Sequence, residues 1–437
     1  MSAGEDIEYG TEKPTGYLPR VVDRQIERAL RLFGAVEICG TKWCGKSWSS
    51  YAFGSSVTHV DDAQSQSLVR VDPTLALDGA RPHVIDEWQE VPQLWDAVRR
   101  AIDDSGGERG QFILTGSSTP EKDKVTHSGA GRIARIGMST MSLWEMGKSS
   151  GQVSLSGLFE GVFQPAQIES QGLAPLAEDI CRGGWPALVG ASVDDAAAII
   201  DQYLDALYEV SVPKKGGTTS AARKVGASLA RNVGTAAKLQ TIADDAFGAE
   251  GNRSPTNRVS FYLELFKELY LIEELPGWDA PVRSKSRLRS KPKRYFADPS
   301  IPAAILGTSP SRLLKDGQLF GLLFESLCIH DLKIYVSALP GARSDSLCYY
   351  GDADGLEVDV IIELRDGRWA GIEIKLGEDK VPDGIANLAR LRKKISLNSA
   401  ARNPEPEFMA VLTASSPFAR YDADHDVYVF PLASLRP

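Results

Sequence analysis

The chain has 437 residues, of which 43% are hydrophobic and 24% charged, with a formal net charge of -9. That length suggests about three domains, and the composition is that of a globular protein with several cores. The acidic balance excludes a protein that coats nucleic acid generally, though local basic patches stay open, and no apolar run is long enough to span a bilayer.

The amino terminus, "MSAGEDIEYGTEKPTG", is acidic and polar rather than basic and then apolar, so a signal peptide is not expected and the setting reads as cytoplasmic. From residue 17 to about 150, strand and helix signals alternate, the pattern of a mostly parallel α/β sheet. "VVDRQIERALRLFG" spaces Val22, Ile26, Ala29 and Phe33 along one helix face and stops at Gly34. "AVEIC" then predicts a buried strand running into Gly40, Thr41, Lys42, Trp43, Cys44, Gly45, Lys46 and Ser47.

This is the G-x-x-x-x-G-K-S pattern of a phosphate loop. Its glycines let successive N–H groups wrap a phosphate, Lys46 supplies a cation for the β- and γ-phosphates, and the Ser47 hydroxyl ligates Mg2+. Ser47 also lies where a helix begins, with its positive end toward the anion. "RPHVIDEWQEV" predicts a second strand ending in Asp86, a Mg2+ partner, and Glu87, a group able to polarise water. A third strand, "GQFILTGSS", brings Thr115 and Ser117 to the expected γ-phosphate position. Three strands that each end in a polar group needed for ATP hydrolysis predict an ATP site.

Arg132 and Arg135 follow in "HSGAGRIARIGMSTMSLWEMG". In ring-forming ATPases an arginine near this place stabilises transition-state charge on a neighbour's γ-phosphate; a structural ion pair is the equal alternative. Arg132 is favoured for the first role because the adjacent glycine allows close approach, and a homo-oligomer is expected from that role.

Residues 151–296 turn helical. "RKVGASLARNVG", "KLQTIADDAF" and "SPTNRVSFYLELFKELYLIEEL" predict three helices, followed by the basic run "VRSKSRLRSKPKR". Three helices and a ribbon, over about 219–296, are the order of a winged helix-turn-helix. In an extended strand Arg283, Lys285, Arg287, Arg289, Lys291 and Lys293 would share one face, suited to the phosphates of DNA, with a solvated loop as the alternative.

Residues 297–437 carry a second constellation. "GQLFGLLFESLCIHDLKIYV" predicts a helix holding Glu325 among apolar neighbours. "GLEVDVIIELRDGRWAGIEIKLG" predicts a β-hairpin turning at "RDGR", with Asp359 on one strand and Glu373 and Lys375 on the next. Two carboxylates and a lysine on adjacent strands predict a hard-cation site. Asp359 and Glu373 would bind Mg2+ or Mn2+, Lys375 would orient attacking water, and Glu325 could complete the cluster. A structural Glu373–Lys375 salt bridge is the alternative.

Cys39, Cys44, Cys181, Cys328 and Cys348 are scattered without a CxxC, so neither a disulfide framework nor zinc spacing is expected.

The phosphate loop, "VIDEWQEVPQLWDAVRR", "FILTGSS", "GRIARIGMSTMSLWE" and the hairpin together resemble the prokaryotic AAA+ superfamily ATPases with a carboxy-terminal domain of unknown function. That terminal domain resembles the PD-(D/E)XK restriction-endonuclease-like fold, although "GLEVD" stands where the proline–aspartate is usual. The resemblance implies an ATP site at Gly40, Lys46, Ser47, Asp86 and Glu87, and a nuclease-like set at Glu325, Asp359, Glu373 and Lys375. The expected organisation is an AAA+-like P-loop domain (1–150), a helical, winged-helix-like region (151–296) and a nuclease-like α/β domain (297–437). The expected activity is that of a DNA-associated ATPase switch or motor. A signalling ATPase with an inactive nuclease-like scaffold is the main alternative, and a small-molecule kinase is disfavoured by the Asp86–Glu87 pair.

Overall fold

The computed structural model of the protein describes residues 14–119, 128–169, 172–248, 255–280 and 291–437. The chain forms two compact units. The first comprises residues 1–140 with the short segments Trp185–Ala187 and Glu268–Tyr270; the second comprises the remainder, so the helical region and the carboxy-terminal sheet fall in one unit.

In the first unit, strands β1 (Ala35–Cys39), β2 (Ser56–His59), β3 (His83–Asp86), β4 (Phe112–Gly116) and β5 (Ile133–Gly137) form one sheet in the order β2-β3-β4-β1-β5. All four pairings are parallel. Alternate strand residues serve opposite faces. Val36, Ile38, Val84 and Ile113 pack with Ile26 and Leu30 of helix α1 (Asp23–Leu32) and with Ala52 and Phe53 of α2 (Lys46–Phe53). Ala35, Ile85, Phe112 and Leu114 pack with Leu94, Val98 and Ile102 of a helix at Gln93–Asp104. Both faces are therefore covered, and this is why the strands read as continuous apolar runs.

In the second unit, helices Thr219–Arg231, Leu239–Phe247 and Thr256–Glu268 follow one another as expected. Short strands β6 (Val153–Ser154) and β7 (Ala166–Gln167) precede them. After them come β8 (Ile272–Leu275), β9 (Gly277–Trp278) and β10 (Lys293–Phe296), with β10 antiparallel to β8. Of the six-cation run, Arg283, Lys285, Arg287 and Arg289 lie outside the described residues. Lys291 is exposed, but Lys293 is buried, so the expectation of one solvent-facing row fails at its last member.

A long helix, Gly317–Ser337, then leads into β11 (Leu347–Gly351), β12 (Glu357–Glu363) and β13 (Trp369–Lys375), an antiparallel meander. The predicted hairpin is β12–β13, with Val360 opposite Ile372 and Glu363 opposite Trp369. Helix Val381–Ser396 crosses to β14 (Phe408–Thr413), parallel to β13. It buries Ile385, Leu388 and Leu391 on Val358, Ile361 and Val411 of the sheet. β15 (Phe418–Asp422) and β16 (Val427–Pro431) complete an eight-stranded sheet ordered β7-β15-β16-β14-β13-β12-β11-β9.

Candidate functional site

The parallel order of the first sheet decides where its chemistry lies. β1 delivers the phosphate loop, β3 ends in Asp86, and β4 lies between them. Thr115 therefore sits beside Ile38 of β1, one residue past the Leu114–Ile85 pair. Residues far apart in sequence meet at one edge because all three strands run the same way.

The loop is tightly backed. A Cβ on Gly40 would lie 2.0 Å from the Met138 carbonyl oxygen, a backbone atom that cannot step aside. Gly45, at φ 100°, occupies the left-handed region and caps α2. Lys46, 5% exposed, donates to the Thr41 carbonyl at 2.8 Å, and Ser47 Oγ donates to Asp86 at 3.0 Å. Trp43 also has positive φ, at 70°, and is exposed, whereas Cys44 is buried.

Asp86 gathers more partners than the sequence suggested. Thr115 donates to it, as do Ser47 and the Tyr51 hydroxyl, the last at 2.7 Å, while His59 Nδ1 lies 3.6 Å away. Burial, with the hydrogen bond to Asp86, pushes the Tyr51 phenol above its ordinary range. Tyr51 is four residues after Ser47 on α2, so helical spacing could have revealed it. His59 pairs with Asp86 in the β2–β3 register, which no local pattern shows.

Glu87 takes φ 59° and donates its N–H to Thr115 Oγ1 at 3.2 Å. Its carboxylate accepts from Ser117 Oγ at 3.0 Å and from Gln89. Asp86 and Glu87 are thus tied to the two polar residues of β4 and the following turn.

The two arginines have partners within their own chain. Arg135 forms a forked pair with Glu37, through Nε at 2.6 Å and a second nitrogen at 3.3 Å. Glu37 is buried on β1, so Arg135 supplies its countercharge. Burial works against the Arg135 guanidinium, but Glu37 outweighs it and raises its pKa. Arg132 bonds Asp103 at 2.9 Å, and both side chains are largely solvated. Within the chain, then, Arg135 pairs with a buried carboxylate and Arg132 with an exposed one.

In the second unit Glu325, Asp359, Glu373 and Lys375 do come together, and four residues not foreseen there, Tyr295, Lys293, Glu357 and Asn387, join them. Tyr295 Oη donates to Glu325 at 2.6 Å. Lys293 Nζ lies 3.1 Å from Glu325, 2.7 Å from Glu357 and 3.8 Å from Asp359. Lys375 bonds Glu373 and lies 3.7 Å from Asp359. Asn387 Nδ2 donates to Glu373 at 3.4 Å.

Burial raises the Glu325 carboxyl, and the nearby Asp359 charge adds to it. Burial, again with Asp359, pushes Glu373 up to about 8, although Lys375 pulls the other way. Burial disfavours the Lys293 ammonium, yet the Glu325, Asp359 and Glu357 carboxylates more than compensate and hold it charged.

The expected metal ligands Asp359 and Glu373 thus face ammonium groups. Among the described residues no group of three or more His, Cys, Asp or Glu is arranged to hold a metal ion. Also among them, no helix is long and apolar enough to cross a membrane.

Comparison with known proteins bears on the first unit most directly. Residues 33–147 match the family model described as AAA domain. Residues 174–312 and 320–433 match two domains of unknown function, DUF8612 and DUF4143. Two uncharacterized proteins, from Mycobacterium tuberculosis and Mycobacterium bovis, are each 25% identical over 360 residues, covering 80% of this chain and 72% of theirs.

Among solved structures, a Walker-type ATPase of Pyrococcus abyssi aligns at 12% identity, covering 69% of this chain and 99% of its own, with a TM-score of 0.43. The replication initiator DnaA, bound to AMPPCP and single-stranded DNA, aligns at 16% identity over 57% of this chain and 86% of its own, with a TM-score of 0.28. Likeness at that level bears on no functional claim. With the strand order and loop geometry, the domain match makes residues 33–147 a P-loop ATPase domain.

Proposed function

We propose that the protein is an ATP-hydrolysing switch, with the loop Gly40–Ser47 cradling the triphosphate and Glu87 positioning the attacking water. The convergence of Ser47, Thr115 and Tyr51 on Asp86 carries this reading. The residues suit Mg2+: a hydroxyl and a carboxylate are already 3.0 Å apart at the loop's end. Bound between Ser47 and Asp86, the ion would neutralise phosphate charge. Lys46 would leave the Thr41 carbonyl for the β- and γ-phosphate oxygens. Glu87, fixed by Gln89 and Ser117, would accept hydrogen from water, while Thr115 would keep Asp86 aligned.

Lys46→Ala should weaken ATP binding at least about tenfold, since a cation is lost from a buried phosphate site. Glu87→Gln should retain ATP but slow turnover by about a hundredfold or more, because polarisation of water is lost while the Ser47–Asp86 pair is kept. Equilibrium binding of a fluorescent ATP analogue and a phosphate-release assay measure the two. Wild-type turnover by Glu87→Gln would overturn the role given to Glu87.

For the second unit we propose three parts of function: a winged-helix-like region over about 219–296, DNA association through its basic run, and a nuclease-like carboxy-terminal domain. The helix order and antiparallel β8–β10 pair support the first, and the succession of helix, three antiparallel strands, helix and parallel strand supports the last. The lysine pairing of Asp359 and Glu373 favours a scaffold over a cutting enzyme.

A further inference from the structure

The nuclease-like reading expects a divalent cation among Glu325, Asp359 and Glu373, and the inference that follows rests on that reading for the expectation alone. The donor set disagrees with it. Asp359 Oδ2 accepts the Ile374 N–H at 2.8 Å and faces Lys375, while Oδ1 faces Lys293. Glu373 Oε2 is taken by Lys375, and Oε1 receives Asn387. Glu325 Oε1 accepts from both Tyr295 and Lys293. Each carboxylate that a metal would need is already bonded to, or faced by, a donor or a positive charge.

Lys293 is not a rim side chain that can swing aside. It is 2% exposed, and β10 is held to β8 by four consecutive pairs, from Lys293–Leu275 to Phe296–Ile272. The Tyr349 ring lies 5.5 Å from its ammonium, adding a further favourable face for the cation. A divalent ion entering here would meet this fixed like charge in a desolvated setting, where repulsion is least screened.

We propose that the Lys293 ammonium is the resident cation of the Glu325–Asp359–Glu373 cluster and keeps divalent metal out of it. Its position fits: one ammonium touches the helix carboxylate Glu325 and the rim carboxylate Glu357, and faces the strand carboxylate Asp359. Lys375 serves the remaining carboxylate. The hairpin thereby keeps a nuclease-like arrangement of side chains with its cation supplied by the chain.

Mn2+ titration of the nucleotide-free, full-length protein, followed by the electron paramagnetic resonance signal of free Mn2+, tests this. Every arm carries Asp86→Asn, which silences the ATPase-site ligand. With Lys293 present, no binding that depends on Asp359 should occur up to about millimolar Mn2+, an ordinary weak-site range. Lys293→Met removes the charge but keeps an unbranched chain; it should gain one site per chain, at least about tenfold tighter, and lose it again with Asp359→Asn. Lys293→Arg should stay metal-free.

Asp359-dependent Mn2+ binding with Lys293 in place overturns the proposal, and so does a folded Lys293→Met protein that gains no site. If Lys293→Met fails to fold, the Lys293-containing arm still decides, since its binding or failure to bind requires no Lys293 substitution. Cleavage of DNA plays no part in the readout. A second unit that proves unrelated to nucleases would therefore leave the metal result standing, and the two failures remain distinct.

Discussion

Arg135 and Arg132 lie three residues apart in the sequence, where only the glycine beside Arg132 distinguishes them, and the structure separates them further by partner. Arg135 neutralises Glu37, a carboxylate buried on β1, an inner strand of the first sheet. Removing it would strand that charge. A fully buried pair broken in this way costs about 3–5 kcal/mol, but Arg135 is half exposed, so roughly 1–3 kcal/mol is expected. Arg135→Ala should therefore lower the melting temperature of the ATPase unit, and adding Glu37→Gln should recover most of the loss. Thermal denaturation of the two single variants and the double variant measures the coupling. Loss of turnover in Arg135→Ala with unchanged melting would show that the arginine acts on phosphate and not on Glu37.

Elements were legible where their pattern is local. The apolar runs ending in Gly40, Asp86 and Thr115 became β1, β3 and β4, because strands buried on both faces must be apolar throughout. The hairpin turn at Asp366–Gly367 and the shared face of Glu373 and Lys375 followed from the two-residue period of a strand. Lys293 escaped because alternation alone cannot say which face is buried: its partners Glu325 and Asp359 lie on a helix and a strand beyond it in the chain. His59 escaped for the same reason of register. The basic run before β10 stays a sequence-level case for DNA. Reversing Arg287 and Arg289 to Glu should weaken binding to all duplexes alike and flatten the salt dependence, since phosphate contacts carry no base information. Fluorescence anisotropy across a salt series measures this, and sequence-selective loss would contradict it. No retardation of duplex or single-stranded DNA by the wild-type protein, with or without ATP, would end the nucleic-acid reading and leave a signalling ATPase.

At the scale of the whole molecule, ATP turnover belongs either to one chain or to an assembly. Arg132 is the residue on which this turns. Its bond to Asp103 joins two largely solvated side chains, and such pairs contribute only about 0–1 kcal/mol. A triphosphate presented by a neighbouring chain would therefore displace Asp103 at little cost. On that basis Arg132→Ala should leave stability and ATP affinity nearly unchanged while turnover falls by about a hundredfold or more, the range of an arginine that stabilises transition-state charge from across an interface. Turnover per chain of the unsubstituted protein should also rise with protein concentration, because composite sites form only on association. Mixing Arg132→Ala with Glu87→Gln provides the sharper measurement. Each variant alone is slow, but in the mixture some interfaces pair an intact Glu87 from one chain with an intact Arg132 from the other. Phosphate release should then exceed the sum of the separate rates. A protein that sediments as a monomer at every concentration with ATP bound, and whose mixed variants show no such excess, would place Arg132 in the Asp103 pair alone and make hydrolysis the work of a single chain.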